Sequence, residues 1–231
     1  MSNIKINEFL NNIQKTAPND FYLYREYDPI LNKTIYGYQM DIINYSSRYA
    51  CYITNMIEYT TTPFMSDYVI YPHFALKNSK YRRNILHNIS KIIKNCRKKA
   101  YFMITLQSDD VLAGHQIVVM YSKVDKCAYI FDSSGMAKQY TDAYTFLNML
   151  FGDLNEIPHS TMLQEYEEIG LNPSEIQGYC LIWCVLFLEC CCRFNISPKF
   201  IPSVISDYAR SPMTLLIISR AYTWKIMMEV A

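Results

Sequence analysis

Gly178-Tyr179-Cys180-Leu181-Ile182-Trp183-Cys184 is the stretch on which the reading of this chain turns. The glycine ends a polar run and delivers Cys180 to the first turn of a helix that stays apolar to about Phe194. Backbone N–H groups and the helix dipole at such a position favour a thiolate over a thiol. Upstream stand Gly114-His115 and Phe131-Asp132-Ser133-Ser134-Gly135, a histidine and an aspartate each at the end of an expected strand. In the order His, Asp, Cys they supply what a thiol nucleophile requires: a base to take its proton and a carboxylate to orient the base.

The spacing of the first two has a mechanical meaning. His115 to Ser122 and Cys127 to Phe131 are rich in aromatic and β-branched residues, and Val124-Asp125-Lys126 between them reads as a hairpin turn. An antiparallel hairpin brings the start of one strand beside the end of the next, so His115 and Asp132 become hydrogen-bonding neighbours. Singly, a strand-end histidine and a turn-capping aspartate are ordinary. Their conjunction with Cys180 is what points to catalysis.

Outward from this core, Tyr101 to Leu106 is a third strand candidate. Asn78-Ser79 caps a helix over about 80–98, with Ile85, Ile89, Ile92, Ile93 and Cys96 on one face. Thr141 caps a helix to Phe151 that Gly152 closes, and a polar, acidic loop follows over 153–178. Ser211-Pro212 opens a last helix to about 229. At the other end, 4–15 reads as a short helix with Phe9, Leu10 and Ile13 on one face. Residues 20–77 are Tyr- and Thr-rich and broken by Pro29, Pro63 and Pro72, which suggests short strands, turns and a helix near 38–57. The expected fold is α+β: a central mixed or antiparallel sheet flanked by helices, with the nucleophile at a helix N-terminus. At 231 residues it is most simply one domain, 78–231 forming the core and 1–77 an N-terminal elaboration.

Composition narrows the chemistry. A 51% hydrophobic fraction is ample for a core, and a net charge of +1 gives the whole molecule no pull towards nucleic acid or membrane. The 21 tyrosines and only 6 glycines, with many Ile, Asn and Lys, fit the codon bias of an AT-rich genome. Of the 8 cysteines, those at 180, 184, 190, 191 and 192 share one helix, where neighbouring side chains diverge and cannot staple distant parts of the chain. With no paired Cys-x-x-Cys, a structural zinc is not expected. The absence of a Walker motif and of Gly-x-Gly-x-x-Gly argues against a nucleotide, so no cofactor is expected. Reduced thiols, an N-terminus without an apolar signal core and no apolar run of about 18 residues suggest a cytoplasmic protein, neither secreted nor membrane-spanning.

Other candidates weigh less. Cys184 lies a full turn into its helix, where burial raises a thiol's pKa and blunts it. Cys190, Cys191 and Cys192 read as core and helix-end fillers. His73, His87 and His159 sit in an aromatic loop, on a basic helix and in a Pro-His loop, positions more often surface than catalytic. Lys80, Arg82, Arg83, Lys91, Lys94, Arg97, Lys98 and Lys99 occur without one acidic residue. Such a run is usually a solvated face, and its functional alternative is a polyanion contact through the 80–99 helix.

The residues from Gly114 through Met120, and from Tyr129 through Ser133, resemble the His-strand-turn-strand-Asp segment of the SUMO-protease and adenovirus-protease class. Leu163-Gln164, then Gly178-Tyr179-Cys180 with Trp183 three residues on, is similar to relatives encoded by large DNA viruses. The resemblance covers roughly 100–195. It implies a papain-like cysteine protease fold with Cys180 as nucleophile, His115 as general base and then acid, and Asp132 as orienter. It also implies a glutamine upstream of the cysteine that donates to the oxyanion beside the cysteine's own N–H. Gln164 is preferred, because the loop after it can return it to the site; Gln177, three residues before Cys180, is the alternative. Gln116 stands where the SUMO-protease branch has tryptophan, and Tyr179 and Leu181 flank Cys180 where that branch has aspartate and glycine. The resemblance therefore implies the thiol chemistry more than SUMO as substrate. It suggests a virus-encoded protease, in the host cytoplasm or virion, that trims structural polyproteins near small residues such as glycine. The alternatives are a ubiquitin- or SUMO-like deconjugase, a Cys-His acyltransferase, and a catalytically dead structural protein with the protease fold.

Overall fold

A computed structural model describes residues 2–16, 25–28, 33–36, 68–76, 89–91, 93–94, 96, 98–106, 115–133, 135, 137–152, 154–156, 179–194, 196–209 and 212–230. They fall in two compact units, Met1–Tyr49 with Ser160–Ala231, and Ala50–His159.

The second unit is built on a five-stranded sheet of β3 (Tyr68–Leu76), β4 (Lys99–Leu106), β5 (His115–Ser122), β6 (Cys127–Phe131) and β7 (Leu154–Glu156), in that spatial order. The outer pairs β3–β4 and β6–β7 are parallel and the inner pairs antiparallel, so the sheet is mixed. The hairpin turn is Lys123 to Lys126, between the paired Ser122 and Cys127, and Lys126 sits in the left-handed region at φ 52°. One face of the sheet carries Ala100, Phe102, Ile104, Leu106, Ile117, Val119, Ala128 and Ile130 in strict alternation. Onto it pack Ala143, Phe146, Leu147 and Phe151 of the helix Thr141–Phe151, together with Ile89 and Cys96. The alternate residues Tyr101, Met103, Val118, Met120 and Phe131 are buried as well, as expected of a sheet covered on both sides.

Several sequence expectations need correction here. Pro72 and His73 lie inside β3 and not in a loop. They stand together opposite the single Met103, between the pairs Tyr71–Phe102 and Phe74–Ile104. Proline has no ladder donor, and a bulge on an edge strand is where that loss is tolerated. The basic helix is described only at 89–91 and 93–94; Cys96 is outside it and Lys99 already belongs to β4, paired with Ser122. Lys91, Lys94 and Lys98 are exposed, while Ile89 and Cys96 face the core. Lys123 closes this corner, donating from Nζ to the carbonyls of Lys94 and Cys96 at 3.1 and 2.8 Å. Thr141 does not cap its helix: Tyr140 holds the N-cap position and makes no side-chain cap bond. Gly152, at φ 75°, does close it. The loop expected over 153–178 begins with β7, three residues whose order comes from pairing with β6 and not from their own pattern.

The first unit holds α1 (Ser2–Thr16), the hairpin of β1 (Arg25–Asp28) and β2 (Lys33–Tyr36), and three further helices. With Thr141–Phe151 as α2, these are α3 (Tyr179–Arg193), α4 (Ile201–Ala209) and α5 (Pro212–Val230). Helix α1 buries Ile6, Phe9, Leu10 and Ile13 at helical spacing and packs on α4 and α5. Residues Ile182 to Cys192 of α3 are buried on every side, so its sequence is apolar all round. The exception is Glu189, whose carboxylate accepts from Tyr222 Oη at 2.6 Å and from Arg193 Nη1 at 2.7 Å, with Lys225 Nζ at 3.4 Å. The two cations also bracket Phe9 of α1, each 5.7 Å from its ring centre. Helix α4 falls outside every expected element; Pro198 opens the 3-10 turn Pro198–Phe200 just before it and Pro202 stands in its first turn, positions that proline tolerates. The helix near 38–57 lies outside the described residues.

Candidate active site

Continuing the β5–β6 register past its last pair, Val118 with Phe131, would set Asp132 opposite Ile117. His115 is two residues before Ile117 and points to the same face, so it meets Asp132 on the diagonal. His115 Nε2 lies 2.6 Å from Asp132 Oδ1, and the two residues are only 5% and 8% exposed. The second carboxylate oxygen is also engaged: Oδ2 accepts the Ala137 N–H at 2.6 Å. A carboxylate can only accept, so Nε2 of the neutral imidazole carries the proton and the lone pair falls on Nδ1. On one side of the imidazole the Tyr140 ring lies almost parallel, 13° between planes and 6.2 Å between centres.

Ala137 and Tyr140 were not singled out by sequence reasoning. The available signal was Asp132-Ser133-Ser134-Gly135, with aspartate first and glycine fourth as turns prefer. Gly135 takes φ 69°, which allows the chain to fold back so that the Ala137 amide meets the carboxylate that precedes it.

Cys180 occupies the second residue of α3 and is half-buried. One turn on, Trp183 is buried and its Nε1 has no hydrogen-bond partner among the described residues. Cys184, Cys190, Cys191 and Cys192 are buried, and for Cys190 burial, followed by the charge of Glu189, pushes the thiol's pKa far up. A thiol held protonated is a poor nucleophile. Gln164, Gln177, Gly178, His87 and His159 lie outside the described residues. Among those described, no cluster of His, Cys, Asp and Glu is arranged to hold a metal ion, and no helix is long and apolar enough to cross a membrane.

No protein-family model matches the chain. No curated protein matches it either. Among solved structures it is similar to the SUMO protease Ulp1 with its catalytic cysteine oxidised to a sulfinic acid: TM-score 0.36, 13% identity, over 98% of this chain and 95% of that one. A de-sumoylating protease gives TM-score 0.36 and 11% identity over 89% and 91% of the two chains. The Legionella pneumophila effector protein RavZ gives 0.36 and 11% over 100% of this chain and 68% of that one. Likenesses at this level leave the assignment to the residues themselves.

Proposed function

We propose that the chain is a papain-like cysteine protease whose catalytic core lies within 78–231, with Cys180 as nucleophile, His115 as base and Asp132 as orienter. The reading rests on the buried 2.6 Å bond between His115 and Asp132, in a chain that also sets a half-buried cysteine in the first turn of an apolar helix. In the reaction, His115 Nδ1 takes the Cys180 proton and the thiolate attacks the scissile carbonyl carbon. The oxyanion forms against the Cys180 N–H and the Gln164 amide. Collapse expels the amine, which takes its proton from the imidazolium and leaves a thioester on Cys180. Water, deprotonated by His115, then attacks the thioester and regenerates the thiol. Asp132 holds the Nε2–H tautomer throughout and stabilises the imidazolium.

The substrate is a protein, either a structural polyprotein cut near small residues, as for virus-encoded members of the class, or a ubiquitin-like conjugate. A peptidyl vinyl sulfone should label the wild type at Cys180, and both Cys180→Ala and His115→Ala should abolish or strongly slow labelling. Ubiquitin- and SUMO-derived probes run alongside a peptide library separate deconjugation from polyprotein cleavage. A wild-type protein that no thiol probe labels would make the chain a scaffold with a protease-like site.

A further inference from the structure

Separate stretches of the second unit meet at one corner of its sheet. The helical residues 89–91 and 93–94 lead through Cys96 to Lys98, β4 starts at Lys99, and the β5–β6 turn runs from Lys123 to Lys126. Lys123 ties them together. Its N–H donates to Lys98 O at 2.7 Å, and its Nζ donates to the carbonyls of Lys94 and Cys96 at 3.1 and 2.8 Å. That ammonium is held by main-chain oxygens and not by a carboxylate. Lys91, Lys94, Lys98, Lys123 and Lys126 are all exposed. Among the described residues of these stretches the exposed carboxylate is Asp125 alone, and it accepts from Ser122 Oγ at 2.6 Å.

A second observation is apolar. Val124 stands at the tip of the turn, 73% exposed, with Lys123 before it and Lys126 two residues on. Turn tips favour Gly, Asn, Asp and Ser, whose side chains assist the turn, and a valine there does nothing for it. The tip therefore presents an aliphatic group to the outside, ringed by positive charge.

We propose that this corner docks on an anionic lipid surface, the lysines over the headgroups and Val124 at their boundary with the acyl chains. Lysine is a hydrated point charge, suited to a diffuse negative field more than to the bidentate recognition that arginine supplies. Basic clusters are drawn to acidic headgroups in this way, and apolar burial at the boundary adds to the attraction. A phosphodiester backbone would meet the lysines but leave the valine in water. The chain as a whole carries only +1, so the attraction belongs to the corner and not to the molecule. The inference stands apart from the protease reading and uses none of its residues.

The test is flotation of the full chain with vesicles of phosphatidylcholine, without and with about 30% phosphatidylserine. The wild type should float with the acidic vesicles alone and be released as added salt shortens the screening length. Lys94→Gln and Lys126→Asn should each weaken binding about fivefold, and together about 25-fold. Asparagine is chosen at 126 because it tolerates the left-handed φ of 52°, and Lys123 is left in place because it holds the corner together. Lys5→Gln, exposed on α1 and outside these stretches, should bind within about twofold of the wild type. Val124→Trp should bind more tightly, and its added emission should move to the blue on acidic vesicles. Failure of the wild type to float, a double variant that floats like the wild type, or an equal loss in Lys5→Gln overturns the proposal. So does duplex DNA bound more tightly than acidic vesicles with the Val124→Trp emission unmoved, which would make the corner a nucleic-acid contact.

Discussion

His115 and Asp132 meet on the diagonal of the β5–β6 hairpin, 2.6 Å apart, although no ladder pair joins them. The bond exists because Asp132 has just left the strand and is held in place by the Ala137 N–H. Asp132 therefore has two separable duties, orienting an imidazole and closing a turn.

Asp132→Asn keeps an acceptor for the Ala137 N–H but no longer dictates the imidazole tautomer. It should leave the fold within about 1 kcal/mol of the wild type and lower kcat by roughly 10³–10⁴. Asp132→Ala should add about 1–3 kcal/mol of destabilisation from the orphaned, buried amide. Kinetics and urea unfolding on the same preparations read both. An Asp132→Asn protein with activity near wild type would exclude the orienting role.

The choice between the two glutamines is a question of reach. Gln164→Ala should lower kcat by about 10²–10³, the usual cost of one oxyanion donor, and Gln177→Ala by far less. The measurement is turnover of a peptide substrate by variants shown to be folded. The reverse ranking would move the donor to Gln177 and leave Cys180 and His115 untouched.

Glu189 is the charged centre of α3 and shares its carboxylate among Tyr222, Arg193 and Lys225. Glu189→Ala leaves a buried hydroxyl and cations without their acceptor, and should cost about 3–5 kcal/mol. Arg193→Ala, at the exposed end of the network, should cost no more than about 1 kcal/mol from the ion pair. Thermal unfolding that ranks the two equally would mean that Glu189 is not the hub.

Cys190 makes stability fall at alkaline pH. Its thiol is raised well above the ordinary 9.0 in the folded chain, chiefly by burial. Below pH 9 both states hold the proton and this group contributes no pH dependence. Above pH 9 the unfolded chain loses it while the folded chain keeps it, so stability drops by about 1.4 kcal/mol per pH unit. Cys190→Ala should be less stable at neutral pH yet flatten the alkaline slope by about one proton. An unchanged slope in denaturant titrations from pH 8.5 to 10.5 would contradict this.

The elements readable in the chain were those that carry their own pattern. The aromatic and β-branched content of 115–122 and 127–131, the apolar face of 4–15 with Phe9, Leu10 and Ile13, and Pro212 at a helix start needed no partner to be recognised. Helix α4 lies outside every expected element: it has nine residues, with Pro202 in its first turn. Strand β7 was missed because three residues hold no period, and their order is supplied by β6. Pro72 and His73 read as loop because the bulge that admits a proline is defined by the neighbouring strand.

By itself the sequence determined the residue types a thiol reaction needs, the hairpin that brings His115 near Asp132, and the apolar helix that begins at Cys180. Those follow from local rules: strand-forming composition, turn chemistry and the dipole at a helix start. Tertiary structure alone decided that Asp132 is held by Ala137, which imidazole nitrogen is committed to it, and that the Tyr140 ring runs nearly parallel to His115. These depend on where the backbone folds back through Gly135. Such contacts are set in space by the burial of the whole segment, and no periodicity along the chain encodes them.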